Sequence, residues 1–221
     1  MNNLWKIKDF VSEVWRGKSN GRIFSNWMIK EHCKNLRGVM VDLGGGDRPS
    51  YERYWRIIPE KFVRVDNDPA KEPDVVADIN APLPFPDAFA DNIFLFSVLY
   101  IIKNPENLFR EVQRILKPGG SLWIVSPFLF AEAKEPSDFR RYTSEGLKTL
   151  LVSSGFSEFR IVPIGERWSV VASLLSPLFP IRICRIFLFL TGWLLDACVP
   201  KHLRAQHPAP LGYFCAAQKI K

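Results

Sequence analysis

The chain has 221 residues, 47% of them apolar, which is enough for one domain with a real core and excludes general disorder. Its net charge of +7 is unevenly laid out: residues 1–38 carry +5, residues 39–159 carry −4 and residues 160–221 carry +6. No basic cluster surrounds a nucleic-acid reading motif, so no nucleic-acid partner is expected. Cys33, Cys184, Cys198 and Cys215 form no C-x-x-C pair, and His32, His202 and His207 do not cluster, so neither a metal site nor a disulfide framework is expected.

The opening "MNNLWKIKDFVSEVW" has charges at Lys6, Lys8, Asp9 and Glu13 and no apolar run, so it does not read as a signal peptide, and the cytoplasm is the expected compartment. Leu4, Ile7, Phe10, Val11, Val14 and Trp15 recur at helical spacing and predict an amphipathic helix. "RIFSNWMIKEHCKNL" predicts a second helix, closed by Arg37 and Gly38. Short β-rich runs follow: "VMVDL" (39–43), "FVRVD" (62–66), "DVVAD" (74–78) and the nearly all-apolar "NIFLFSV" (92–98). "PENLFREVQRILKPGG" (105–120) predicts an amphipathic helix stopped by Pro118-Gly119-Gly120, and "SLWIVSP" (121–127) a fifth strand. "TSEGLKTLLVSSGF" (143–156) opens on a cap at Thr143 or Ser144, and "SEFRIVPIG" (157–165) and "GYFCAAQKI" (212–220) supply two more strands. Strands alternating with helices predict an α/β fold, a Rossmann-like, seven-stranded, mostly parallel sheet with helices on both faces. N-terminal helices precede it, and an apolar helical insertion precedes its last strand.

The stretch "VMVDLGGGDRPSYERYW" (39–55) closes the first strand with three glycines, at the carboxyl edge where parallel sheets bind ligands. A dinucleotide fingerprint requires G-x-G-x-x-G, but counting from Gly44 its third glycine falls on Pro49, which argues against a nicotinamide oxidoreductase. A carboxylate at the mouth of the turn, Asp42, would repel phosphates and attract a cation.

Together "VMVDLGGGDRP", "FVRVDNDP", "VVADINAPLPFPDAFADNIFLFSVLYIIKNPENLFREVQRILKPGG" and "SDFRRYTSEGLKTLLVSSGF" resemble class I S-adenosylmethionine (SAM)-dependent methyltransferases. The nearer likeness is to bacterial methyltransferases found among genes for surface polysaccharides. The resemblance covers about residues 36–165, with a weaker echo in "PLGYFCAAQK". It implies SAM as cofactor and gives the residues that would bind it. Asp42, Gly44, Gly45 and Gly46 form the first motif, with Asp42 facing the cationic amino end of SAM. Asp66 and Asn67 end the second strand, where Asp66 would accept the ribose hydroxyls. Asp78 and Ile79 meet the adenine, and Ser97 lies beneath the sulfonium. The implied division is an N-terminal helical segment (1–38), a SAM-binding domain (39–165), an apolar cap (166–210) and a final strand (211–221).

The acceptor expected is a small molecule, a carbohydrate or a lipid-linked compound, methylated on oxygen. Relatives often place Glu-His after the fourth strand, where this chain has Tyr100-Ile101, and a histidine where Ala133 stands. Neither position supplies a histidine base, which leaves Glu132, Asp138 and Tyr142 as weak catalytic candidates. Asp138 reads equally as the partner of Arg140 or Arg141 in a structural ion pair. The competing reading is a non-catalytic SAM-fold protein that acts as a membrane-surface or complex partner.

Residues 168–200 carry charge only at Arg182, Arg185 and Asp196 and are broken by Pro177 and Pro180. A spanning helix needs about 20 unbroken apolar residues, so two helices are expected rather than a transmembrane span. They form either a lid that buries its rings against the N-terminal helix or a lid resting on the cytoplasmic leaflet. In the second case the protein is peripheral on the membrane through 168–204, with Arg182, Arg185, Lys201 and Arg204 near headgroups.

Overall fold

The structure, a computed structural model, describes residues 4–46, 50–133 and 137–220. Two helices come first, α1 (Leu4–Trp15) and α2 (Asn20–His32), the second capped by Ser19, whose hydroxyl accepts from the Arg22 amide at 3.3 Å. Then follow β1 (Lys34–Leu43), β2 (Arg56–Asp66), β3 (Val75–Val76), β4 (Ala90–Phe96), α3 (Pro105–Ile115), β5 (Leu116–Pro127), α4 (Ser144–Ser153) and β6 (Glu158–Ile164). The chain closes with α5 (Arg167–Leu175), α6 (Arg182–Cys198), α7 (Lys201–Gln206) and β7 (Gly212–Gln218). The seven strands lie in the order β3-β2-β1-β4-β5-β7-β6, and β7 runs antiparallel to both of its neighbours. The expected seven-stranded, mostly parallel sheet is therefore present. Strand order reverses between β1 and β4, so a crevice opens at their carboxyl ends.

Alternation along the buried strands divides the core into two. Val41, Ile93 and Leu95 face a cluster with α3 and α4, built around Leu108, Phe109, Val112, Leu147 and Leu151. Met40, Phe94 and Phe96 face the other side, against Phe10, Ile23 and Phe24 of α1 and α2 and Phe189 of α6. That second face lacks a long crossover helix after β1: the described part of the β1–β2 connection holds a single turn, Glu52–Tyr54. The N-terminal helices cover the gap. Asp9 accepts from Arg53 (2.7 Å), the Tyr54 hydroxyl (2.7 Å) and Trp27 Nε1 (2.8 Å), and buried Glu13 pairs with Arg53 at 3.0 Å, so α1 and α2 are bolted to the turn.

Four element boundaries depart from the periodicity. The second helix ends at His32 rather than Leu36, because Cys33 turns the chain into β1 and its amide closes on the Ile29 carbonyl. Arg37 and Gly38 lie within β1 at a bulge, where the Asp91 carboxylate fills the space of a Gly38 Cβ and accepts the Val39 amide at 2.7 Å. The third helix stops at Ile115, since Leu116 already pairs with Ala90. "DVVAD" yields only Val75–Val76, because the Asp74 side chain, not its backbone, takes the Arg64 amide.

The apolar segment forms α5 and α6, as expected, with a short turn at Ser176–Leu178 between them. Asp196 sits in α6 because α5 needs it: its carboxylate accepts the amides of Glu166, Trp168 and Ser169 at 2.9–3.2 Å, capping the neighbouring helix. Of its rings, Phe189 is buried, and Trp193 packs on Phe10 (5.3 Å between centroids) and Trp27 (5.1 Å). The opposite face is open, with Leu178, Phe187 and Leu194 exposed at 73%, 67% and 66%. Among the described residues no helix is long and apolar enough to cross a membrane.

Candidate functional site

The glycine turn begins at Gly44, whose amide donates to the Val65 carbonyl at 2.7 Å and whose φ is +77°. A Cβ at Gly44 would lie 2.4 Å from Val98 Cγ1, so the turn is pressed against the end of β4. Asp42 lies beneath this turn, 1% exposed, and does not line the cavity above it. The Tyr51 hydroxyl donates to its Oδ2 at 2.6 Å, while Oδ1 is buried without a hydrogen-bond partner. Burial pushes the Asp42 carboxyl up to about 7, against the pull of the Tyr51 bond. In this structure the carboxylate supports the turn from below.

Above the turn, at the carboxyl ends of β1, β2 and β4, lies a cavity of about 400 Å³. Of the residues anticipated for the cofactor, Gly44, Asp66, Asn67, Asp78, Ile79 and Ser97 line it. Gly45 packs under the turn, where a Cβ would meet Asp42 Oδ2 at 2.5 Å. Gly46, at φ +61°, donates its amide to Asp66 Oδ2 at 3.1 Å. Asp66 also accepts the Asp68 amide at 3.0 Å and the Lys71 ammonium at 3.1 Å. Lys71 thus shares the Asp66 carboxylate, on a side chain 43% exposed and able to swing away. Asp78 folds its own loop, accepting from the Asn80 amide at 2.9 Å, and Asn80 in turn accepts the Lys103 amide at 2.9 Å.

Ser97 holds a positive φ of +60°, uncommon for a non-glycine, with its amide bonded to the Val125 carbonyl at 2.8 Å. It lines a second, smaller cavity as well, of about 180 Å³, and so does Tyr100. The two cavities share this wall. The second is enclosed by the first turn of α2, the ends of β4 and β5 and the loop that carries Arg141.

The "DFRRYT" run (138–143) builds that loop. Asp138 takes both terminal nitrogens of Arg141 and accepts the Ala133 amide at 3.0 Å. The Phe139 amide bonds the Tyr100 carbonyl at 2.8 Å, and Arg140 bonds the Lys103 carbonyl at 2.9 Å. Thr143 caps α4. Of the two partners considered for Asp138, Arg141 is the one it pairs with, and this bond holds its carboxyl below the usual range, which makes it a poor base. Burial raises the Tyr142 phenol, and Glu132 is exposed outside both cavities. None of Glu132, Asp138 and Tyr142 lines either cavity.

Residues 57–124 match the family described as the methyltransferase domain. The ubiquinone/menaquinone biosynthesis C-methyltransferase UbiE of Vibrio cholerae is 28% identical over 103 residues, covering 39% of this chain and 40% of that protein. The chain thus spans well under half the length of this curated relative. A methyltransferase solved in complex with the Haloferax volcanii Trm112 activator superposes with a TM-score of 0.61, at 16% identity, over 96% of this chain and 98% of that one. Haemonchus contortus phosphoethanolamine N-methyltransferase 2, solved with SAM, gives a TM-score of 0.56, at 16% identity, over 89% of this chain and 52% of that one. The chain has the fold of class I SAM-dependent methyltransferases. The methyltransferase fold makes SAM the cofactor to test, and the residues present suit it: a cavity of ligand size and an acid at the end of β2 held by a displaceable lysine.

Several residues of this candidate site escaped the sequence reading. Tyr51 could be found only through its contact with Asp42, and Lys71 only through its contact with Asp66. Arg22 and Ser126 join the site by tertiary folding alone. Tyr100 had a signal, since it occupies the place of the relatives' Glu-His.

Proposed function

We propose that the chain transfers a methyl group from SAM to a small-molecule, carbohydrate or lipid-linked acceptor, with SAM in the 400 Å³ cavity and the acceptor in the 180 Å³ cavity. The observation that carries this reading is the wall the two share at Ser97 and Tyr100, across which a donor and an acceptor would face each other. SAM supplies a methyl group already activated on a sulfonium. The chain's own work is then to orient and to exclude water, and orientation alone can supply about 7–11 kcal/mol of a barrier. Asp78 and Ile79 hold the adenine end of the cofactor, Asp66 and Asn67 the ribose in the middle, and the Gly44–Gly46 turn the methionine end. Tyr100, stacked against the Arg141 guanidinium at 5.3 Å, fixes the acceptor side. A hydroxyl oxygen is the proposed methylated atom, because Ser97 and Tyr100 offer hydroxyls that can hydrogen-bond it in place. The division into 1–38, 39–165, 166–210 and 211–221 is retained as a proposal, with the first and third units acting as covers.

We further propose that the open face of α5 and α6 rests on an anionic membrane surface. Its support is the run of exposed apolar side chains and the absence of any exposed carboxylate in residues 166–207, where Glu166 and Asp196 are both buried. Arg204 is not free for headgroups, since its guanidinium bonds the carbonyls of Asp196 and Val199 at the end of α6. Arg182 and Lys201 remain exposed for that role.

Methyl-tritiated SAM incubated with bacterial polar and lipid extracts tests the activity. Label in either fraction, lost in Asp66→Ala, is the expected result. SAM binding with no transfer to any fraction would favour the non-catalytic reading.

A further inference from the structure

Resting on the proposal that the 180 Å³ cavity takes the acceptor, we infer that this acceptor carries an anionic group, a phosphate or carboxylate, held between Arg22 and Arg141. The two arginines reach the cavity from different elements, α2 and the loop before α4, and among the described residues no aspartate or glutamate lines it. Arg141 is neutralised by Asp138 on its outer side, yet its Nε is buried without a partner. Arg22 has no ion pair and no side-chain hydrogen bond among the described residues. A planar guanidinium in a partly enclosed site is matched best by two oxygens on one centre, which is the geometry of a phosphate or a carboxylate.

Three further features suit an anion. The first turn of α2 borders the cavity through Ser19 and Gly21, and the positive end of a thirteen-residue helix favours negative charge there. A Cβ at Gly21 would meet nothing within 4 Å, so a ligand can approach this backbone closely. Independently of the helix, Ser126 lines the cavity, and a serine hydroxyl can donate to an oxygen of an anion. The remaining wall is apolar, through Val125, Phe130, Ile164 and Leu211, so the anionic group would be attached to an apolar portion.

Phenyl phosphate is a suitable probe, with phenyl glucoside as its uncharged counterpart, both titrated by calorimetry into the full chain saturated with S-adenosylhomocysteine. Phenyl phosphate is expected to bind and phenyl glucoside not to bind. Arg22→Gln and Ser126→Ala should each weaken phenyl phosphate by tenfold or more, while SAM affinity in both variants stays within twofold of wild type. Phosphatidic acid vesicles and soluble phenyl phosphate, compared in competition, distinguish a lipid headgroup from a free metabolite as the source of the anion. Equal phenyl phosphate affinity in wild type and Arg22→Gln would overturn the inference, as would competition between phenyl phosphate and S-adenosylhomocysteine for one site. Loss of SAM binding with anion binding intact would instead overturn the cofactor assignment and leave the anion site standing.

Discussion

Replacing Gly44 by alanine should destabilise the fold before any cofactor is considered. Its φ of +77° is left-handed, which costs a side-chain-bearing residue about 1–2 kcal/mol. The new Cβ would meet Val98 Cγ1 at 2.4 Å, and Val98 is buried at a strand end with little room to retreat, adding about 1–3 kcal/mol of overpacking. The sum is about 2–5 kcal/mol, or a fall in melting temperature of about 2–4 °C for each kcal/mol at this chain length. The two contributions separate in a double-mutant cycle. Val98→Ala removes the clashing methyl at the cost of a small cavity, so Gly44→Ala/Val98→Ala should be more stable than the sum of its parts by about 1–2 kcal/mol. Urea denaturation of the four proteins, followed by circular dichroism, gives the four free energies. Additivity within about 0.5 kcal/mol, or a wild-type midpoint for Gly44→Ala, would refute the reasoning. Gly44→Val should fail at the level of the fold for the same reason, so a loss of SAM binding in that variant would say nothing by itself about contact with the cofactor.

Lys71→Met should leave SAM affinity unchanged or tighten it by up to about fivefold, since it removes an exposed ion pair that competes for Asp66; a tenfold loss in a calorimetric titration would instead make Lys71 part of the cofactor's grip. Because burial raises the Asp42 carboxyl from its ordinary range to about 7, the native state binds the extra proton between about pH 4 and 7, so stability falls as pH rises through that window. Asp42→Asn should remove this slope, of at most about 1.4 kcal/mol per pH unit, and urea midpoints of both proteins across pH 4–8 that stay parallel would contradict it. Phe187→Asp/Leu194→Asp should release the protein from anionic vesicles at low salt while its melting temperature holds, because both side chains are exposed; undiminished co-sedimentation would move the membrane contact elsewhere.

The sheet was legible because its central strands are buried on both faces and so read as unbroken apolar runs, as in "NIFLFSV" and "VMVDL". The same signal is silent on which helices cover which face. A sequence with no long helix between the first two strands gave no hint that α1 and α2 stand in for it, because the bolt through Asp9, Glu13 and Arg53 joins residues more than 35 positions apart. The site shows the same split. Gly44, Asp66 and Ser97 were locatable from their places at strand ends, where topology alone fixes position. The states of their side chains were not, because Lys71 on Asp66 and Tyr51 on Asp42 are contacts made by loops. The apolar segment looked like a choice between burial and membrane contact. It resolves into one helix face that packs and one that does not, a distinction of 3.6-residue phase that composition does not carry.

The central claim is that the cavity over β1, β2 and β4 binds SAM through Asp66. Calorimetric titration of wild type and Asp66→Ala with SAM, and with NAD as the control, tests it most directly. The account predicts a single SAM site in the wild type and no heat from NAD. It also predicts that Asp66→Ala weakens SAM by about 1–3 kcal/mol while remaining folded, despite losing the acceptor for the Gly46 amide. Equal SAM affinity in the two folded proteins, or NAD binding in place of SAM, would contradict it.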